Sequence, residues 1–172
     1  MKLIAPELMN QQHHCAEFDC GVTTLNQFLH KHALQNQLAD AARTYVASVL
    51  TATGQQVVGF YTLTAGSIAP EESPERIRKG LARHPIPVVL LARLAVDTRY
   101  QGKGLGKGLF KDVLLRTAQA ADVIAARCLV VHAKDEEAKQ FYLRYNLGQS
   151  PTHPLHLFLL MKDLRKLLKD SN

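Results

Sequence analysis

A chain of 172 residues with 47% hydrophobic and 21% charged residues is long enough to bury one substantial core, and its balance excludes disordered and fibrous classes. Lys and Arg number 21 against 15 Asp and Glu, a formal charge of +6, which favours an anionic partner, either nucleic acid or a phosphorylated cofactor. Three cysteines without a Cys-x-x-Cys pair exclude a complete disulfide framework and suit a reducing, cytoplasmic setting.

Residues 1–10 are interrupted by Pro6 and Glu7 and lack the apolar core of a secretion signal. No run approaches the roughly 20 apolar residues that span a bilayer. Asp19-Cys20-Gly21 signals a turn, after which Thr23 or Thr24 caps a predicted helix with Leu25, Phe28, Leu29, His32 and Ala33 on one face. Residues 43–50 (RTYVASVL) and 57–65 (VVGFYTLTA) are β-branched and aromatic and read as an antiparallel pair. Residues 70–87 (PEESPERIRKGLARHPIP) are polar and basic, with prolines at both ends and room for one short helix; long irregular stretches in small domains often carry function.

Residues 88–96 (VVLLARLAV) form an apolar run of strand length, predicted to be central and covered on both faces. A helix over 104–125 follows, with Leu105, Leu109 and Val113 in one stripe and Phe110, Leu114, Ala118 and Ala121 beside it. A strand at 128–132, a helix at 136–144, a last strand at 155–161 and a basic tail helix at 163–169 complete the chain. Strand, helix and strand in that order call for a right-handed crossover between parallel neighbours.

The junction at 97–108, DTRYQGKGLGKG, is the most informative segment. Glycines at 102, 104, 106 and 108 leave the backbone uncovered where a helix begins and its amides have no partner, an arrangement that binds phosphate. Lys103 and Lys107 add positive charge. The spacing fits neither a Walker loop, which needs Ser or Thr where Gly108 stands, nor a dinucleotide fingerprint with glycines at i, i+2 and i+5.

What the junction does match is Gln-x-x-Gly-x-Gly, at Gln101, Gly104 and Gly106. This resembles the pyrophosphate-binding motif of the GCN5-related N-acetyltransferases. Together with FDCGVTTLNQFL, VVGFYTLTAGSI, PVVLLARLAV and LVVHAKDEEAKQFYLRY, it resembles the acetyltransferase toxins of bacterial toxin–antitoxin pairs. One departure is Asn146-Leu147, where that family usually has Gly-Phe after the Phe-Tyr helix; Asn tolerates the left-handed backbone that ends a helix.

The resemblance implies an α/β fold of the α+β type: a mixed central sheet of about six to seven strands flanked by helices, with a parallel splayed pair around the acetyl-CoA site. Residues 1–162 would form the acetyltransferase domain and 163–172 a basic tail helix. Acetyl-CoA is the implied cosubstrate, with Leu94, Ala95 and Val96 offering main-chain groups to its pantetheine and Gln101, Gly102, Lys103, Gly104, Leu105, Gly106 and Lys107 taking its pyrophosphate. Tyr142 matches the family's catalytic tyrosine. No metal is expected, since no carboxylate or cysteine completes a site with the histidine pairs His13-His14 and His30-x-His32.

His132 is a weaker candidate base, Asp135, Glu136 and Glu137 suit a helix start, and Cys20 and Cys128 sit in apolar stretches and are not expected to act as nucleophiles. The absence of a strong base points to an acceptor that needs none. A lysine amine has a pKa near 10.4, whereas an α-amine titrates around 7.7 to 8.0, and the family's acceptor is the α-amine of aminoacyl-tRNA. Arg76, Arg78, Lys79, Arg83 and Arg93 are candidates for tRNA contact, with Arg93 either lining the site or bracing it. The resemblance further implies a ribbon-helix-helix antitoxin, a homodimer and operator DNA reached only through the antitoxin complex. Two other readings stay open: an acetyltransferase of the same fold acting on a protein N-terminus or small amine, and a non-catalytic nucleic-acid-binding module.

Overall fold

Two strands, β1 (Leu3–Leu8) and β2 (His13–His14), open the computed structural model, which describes residues 2–171. The helical segments α1 (Thr23–Gln27) and α2 (Ala33–Leu38) follow, joined by a π-helical turn at Phe28–His32, and then the strands β3 (Arg43–Thr51) and β4 (Gly54–Ile68). Residues 2–64 with Ala92–Val113 make one unit, and Ala65–Leu91 with residues 114–171 make the other.

In the first unit β3 and β4 form the predicted antiparallel hairpin, closed by a two-residue turn in which Thr51 pairs with Gly54. Gly54 has φ of +124°, a conformation a side chain would strain. Strand β1 pairs antiparallel with β3, and the register slips between Ile4 and Glu7. Pro6, which cannot donate to a ladder, occupies that irregularity. That is why hydropathy alone does not announce this strand.

The core of this unit gathers Phe18, Phe28, Leu29, Val46, Val57, Phe60 and Ala95. Phe60 meets Phe18 edge-on at 5.5 Å between centroids and stacks on Phe28 at 6.3 Å. The π turn inserts a residue into the helical repeat, so Phe28, Leu29 and Ala33 are buried while His32, predicted on the same face, is exposed. The helix also begins differently from its predicted cap: Val22 stands at the N-cap, without a side-chain bond.

The elements that follow are α3 (Glu75–Arg78), β5 (Ile86–Val96), α4 (Leu105–Val123), β6 (Cys128–His132), α5 (Glu136–Leu143), β7 (Gly148–Gln149), β8 (His156–Leu160) and α6 (Met161–Asp170). In the second unit β5 and β6 run parallel from Val88↔Cys128 to Leu91↔Val131, the crossover that the order of elements demands. Strand β8 pairs antiparallel with both β6 and β7. Ile86, Val88, Cys128, Val130 and Phe158 alternate toward one face and bury Ile77 of α3 with them. The chain leaves α5 through Asn146, whose φ of +62° is the left-handed turn expected of an asparagine there. Eight strands are present among the described residues, more than the six to seven expected, because β1, β2 and β7 are short or irregular.

Candidate functional site

The parallel ladder with β6 ends at Leu91, and β5 continues through Ala92–Val96. Along that extension Leu94 and Val96 are only half-buried and Ala95 is buried. The expectation that the apolar run is covered on both faces therefore holds only in part: Val89 and Leu90 are half-buried too, as is most of the strand end assigned to the cosubstrate. Gly59 of β4 lies under the start of α4. A Cβ there would come within 3.0 Å of Leu109 Cδ1 and 3.3 Å of Leu105 Cδ2, so the glycine permits the first two turns of α4 to sit close against the strand. Gly59 is a supporting residue the sequence reading did not single out, although a lone glycine inside VVGFY signals close approach.

After β5 the chain makes one 3-10 turn, Thr98–Tyr100, and then the glycine turn. Gly102 and Gly104 have φ of +74° and +86°, and a Cβ at either would meet nothing within 4 Å. Glycine is thus required by the backbone and not by crowding, and the turn faces open space. Gly104 accepts the first bond of α4, from the Gly108 amide at 3.1 Å. The amides of Leu105, Gly106 and Lys107 lie in the first turn, where a helix supplies no acceptor of its own. Lys103 and Lys107 are exposed beside them, and Lys103 sits over the Tyr100 ring at 5.6 Å. Gln101 is exposed, but its Nε2 donates back to the carbonyls of Val96 at 2.8 Å and Cys20 at 3.3 Å. Its side chain holds the turn in place.

Asp97 anchors the same turn and is fully buried. Its Oδ1 accepts from the Arg99 amide and from Arg99 Nε, both at 2.9 Å, and its Oδ2 accepts from Arg99 Nη2 at 3.0 Å and the Asp19 amide at 3.2 Å. Burial disfavours its ionisation, but these donors outweigh burial and hold the carboxyl below the usual carboxylate range. The Thr98 amide returns a bond to the Asp19 carbonyl at 2.9 Å. Asp19 Oδ1 in turn accepts from Gly21 and Asn26, both at 2.8 Å. The FDCG segment therefore acts as the strut under the glycine turn.

Tyr142 lies on α5, 6% exposed, with its ring edge-on to Phe141 at 5.1 Å. Burial pushes its pKa well above the ordinary tyrosine value, so the phenol stays protonated and able to donate. Asp135 caps α5, accepting from the Ala138 amide at 2.8 Å, as the acidic helix start predicts. His132 stacks on His156 at 3.8 Å, and His153 stacks on His156 at 4.5 Å. Burial first, and the neighbouring histidines second, lower the pKa of His132. Rings stacked face to face cannot converge their nitrogens on one ion, and among the described residues no group of three or more His, Cys, Asp or Glu is placed to hold a metal.

The basic residues of 70–87 separate into two concavities of the second unit. Arg78, Lys79 and Arg83 line one of about 590 Å³ with Glu71, Glu75 and Pro151. Arg76 and Lys79 line another of about 410 Å³ together with Arg127 and Lys162, two cations that the sequence reading passed over. Arg76 is clamped two-pronged by Asp163 of α6, at 2.8 and 2.6 Å. Arg127 donates to the carbonyls of Ile77 and Lys79 at 2.9 and 3.1 Å and so fixes the end of α3. Arg93 is placed with neither group: it stands on β5 in the first unit, its guanidinium 3.6 Å above the Phe28 ring.

The chain belongs to the GCN5-related acetyltransferase family: the family model described as an acetyltransferase (GNAT) domain matches residues 9–146. A tRNA-acetylating toxin of Mycobacterium tuberculosis is 43% identical over 166 residues, covering 96% of this chain and 97% of that protein. Among solved structures, AtaT in complex with acetyl-methionyl-tRNAfMet superposes with a TM-score of 0.88 at 27% identity, covering 96% of this chain and 99% of that one. A tyrosine-to-phenylalanine mutant of AtaT, bound to the C-terminus of the antitoxin AtaR and acetyl-CoA, superposes with a TM-score of 0.80 at 27% identity, covering 96% and 97%. No helix among the described residues is long and apolar enough to cross a membrane.

Proposed function

We propose that this chain is an acetyl-CoA-dependent N-acetyltransferase toxin that acetylates the α-amine of aminoacyl-tRNA in the bacterial cytoplasm and so stops translation. The observation that carries this reading is 43% identity to a tRNA-acetylating toxin along 96% of the chain, with the glycine turn intact. In this reading residues 1–162 are the catalytic domain and 163–172 a basic tail, whose residues up to Asp170 belong to α6. The partners are a ribbon-helix-helix antitoxin, a second copy of the chain, and operator DNA through the antitoxin.

The residues fit acetyl-CoA. The amides of the first turn of α4, with Lys103 and Lys107, would hold the pyrophosphate, and the main chain of Leu94, Ala95 and Val96 would pair with the pantetheine. Bound there, acetyl-CoA supplies an activated acyl group. The acceptor nitrogen forms its bond to the acyl carbon and releases a proton to solvent. The carbon–sulfur bond breaks, Tyr142 gives its proton to the departing sulfur, and the phenol regains a proton from solvent, matching the one the amine released. An α-amine titrating near 7.7 to 8.0 is partly neutral at the working pH, which removes the need for a strong base.

Gly104→Val tests the turn. Its φ strains a β-branched residue by about 1–2 kcal/mol, and no packed neighbour is disturbed. Acetyl-CoA affinity measured by calorimetry should fall about tenfold while the melting temperature moves by only a few degrees.

The acceptor is tested with labelled acetyl-CoA offered to aminoacyl-tRNA, uncharged tRNA, peptides and polyamines. Label should enter charged tRNA alone. With about four phosphates held by residues such as Arg78, Lys79, Arg83 and Lys162, doubling the salt should cut kcat/KM about eightfold. Label on peptide or polyamine and none on charged tRNA would overturn the toxin reading.

A further inference from the structure

Arg93 departs from the usual fate of a half-buried cation. It is partly withdrawn from water, and burial lowers its pKa. Among the described residues no carboxylate lies within ion-pair distance of it and no acceptor within hydrogen-bond distance; its one contact of this kind is the Phe28 ring at 3.6 Å. An arginine stacked on an aromatic face has its plane fixed and its N–H edge left for a second partner. A guanidinium edge recognises a planar or tetrahedral oxyanion by two parallel bonds. The support is itself unusual: Phe28 opens the π-helical turn, an insertion that recurs at functional positions, and is locked by stacking on Phe60.

The position of Arg93 narrows the partner. It immediately precedes Leu94–Val96, the strand end assigned to the cosubstrate. Arg93 and Ala95 alternate with Leu94 and Val96 and so share a face of β5. Ala95 packs in the Phe28 and Phe60 core, whereas Val96 Cγ2 lies 3.8 Å from the Cβ position of Gly106 at the start of α4. The guanidinium is thus on the face turned away from the pyrophosphate turn, where the cosubstrate's phosphates are not expected.

We propose that Arg93, held flat by Phe28, is a specificity-determining residue that binds the phosphodiester nearest the 3′ end of the charged tRNA, fixing the reach of the aminoacyl ester to the acyl carbon. This rests on the aminoacyl-tRNA reading above. Phe28 is the positioning residue, acting through the orientation of Arg93.

The test compares two acceptors that differ in phosphate: an aminoacylated CCA trinucleotide and an aminoacyl-adenosine without a phosphodiester. In the wild-type protein the trinucleotide should be preferred in kcat/KM. Arg93→Gln should raise KM for the trinucleotide and for charged tRNA about 10- to 100-fold and shrink that preference by the same factor, with KM for acetyl-CoA unmoved. The salt slope of kcat/KM should lose about one ion. Arg93→Lys should not restore the preference, since an ammonium neither stacks nor forks. Phe28→Leu should reduce the preference part-way, with a thermal melt confirming that it folds.

An unchanged preference in Arg93→Gln, or full recovery in Arg93→Lys, overturns the assignment. So does equal loss on both acceptors, or loss confined to binding the acidic segments of an antitoxin. Absence of transfer to any charged tRNA by the wild-type protein would instead bring down the acceptor reading, and this assignment with it.

Discussion

Tyr142→Phe should lower kcat for acetyl transfer by about 10²- to 10⁴-fold, the range expected when a positioned proton donor is lost. Acetyl-CoA affinity should stay within about twofold, because phenylalanine keeps the ring and its edge-on contact with Phe141. Burial raises the pKa of the phenol, so its acid form persists across the working range. In the wild-type protein kcat/KM for the acceptor should rise with pH as the α-amine of the aminoacyl ester loses its proton, below the 7.7 to 8.0 of a peptide α-amine, and reach a plateau, with no decline from Tyr142 below about pH 10. A variant retaining more than a tenth of wild-type kcat would remove the acid role from Tyr142. So would a wild-type profile falling between pH 8 and 9.

The second large effect belongs to Asp97, which touches no reacting group. Asp97→Ala removes four hydrogen bonds beneath the glycine turn, one each from the Asp19 and Arg99 amides and two from the Arg99 guanidinium, at about 0.5–1.5 kcal/mol each. The expected cost is about 2–5 kcal/mol, read as a melting temperature lowered by roughly 5–15 °C. Acetyl-CoA affinity should fall as well, because the 3-10 turn before Gln101 loses its anchor. Asp97→Asn, retaining one carbonyl oxygen, should lie between the variant and the wild type.

The pH dependence has a definite sign. The folded-state pKa of Asp97 is lowered, so its contribution is present above the unfolded carboxylate value near 3.9 and is lost as pH falls through the folded value. Acid unfolding of the wild type should therefore steepen below about pH 4, and in Asp97→Ala that step should be smaller. Equal stability of the two proteins at pH 7 would show that the strut carries no load.

Much of the fold was legible because its signals are periodic. The alternation in residues 43–65 and the apolar run at 88–96 gave the hairpin and the central strand, and Asn146 was readable as a left-handed turn from its residue type alone. Strand β1 was not, since Pro6 cancels the pattern and only pairing with β3 reveals it. The π turn was also hidden, because a helical repeat of apolar residues accepts one inserted position without changing its composition. Hence His32 was assigned to a face it does not share.

The candidate site divides along the same line. The Gln-x-x-Gly-x-Gly turn and Tyr142 are carried by residue identity. The supports are carried by contacts distant in sequence: Asp19 to Asp97, Gly59 beneath Leu109, and Arg127 beside Lys79. The Gln101 side-chain amide is bonded to the carbonyls of Val96 and Cys20, a support that its place in the motif does not disclose.

The state of the three cysteines bears on how all of these experiments are read. None is disulfide-bonded, Cys20 and Cys128 are buried, and Cys15 is partly so. Burial pushes the Cys15 thiol up to about 11 and the Cys128 thiol up to about 12. Only thiolate attacks a chromogenic disulfide reagent, so at pH 8 roughly one Cys15 side chain in a thousand would be reactive at any moment. Coenzyme A liberated at each turnover can thus be counted by its own sulfhydryl, in continuous optical assays, against a protein that contributes little colour of its own.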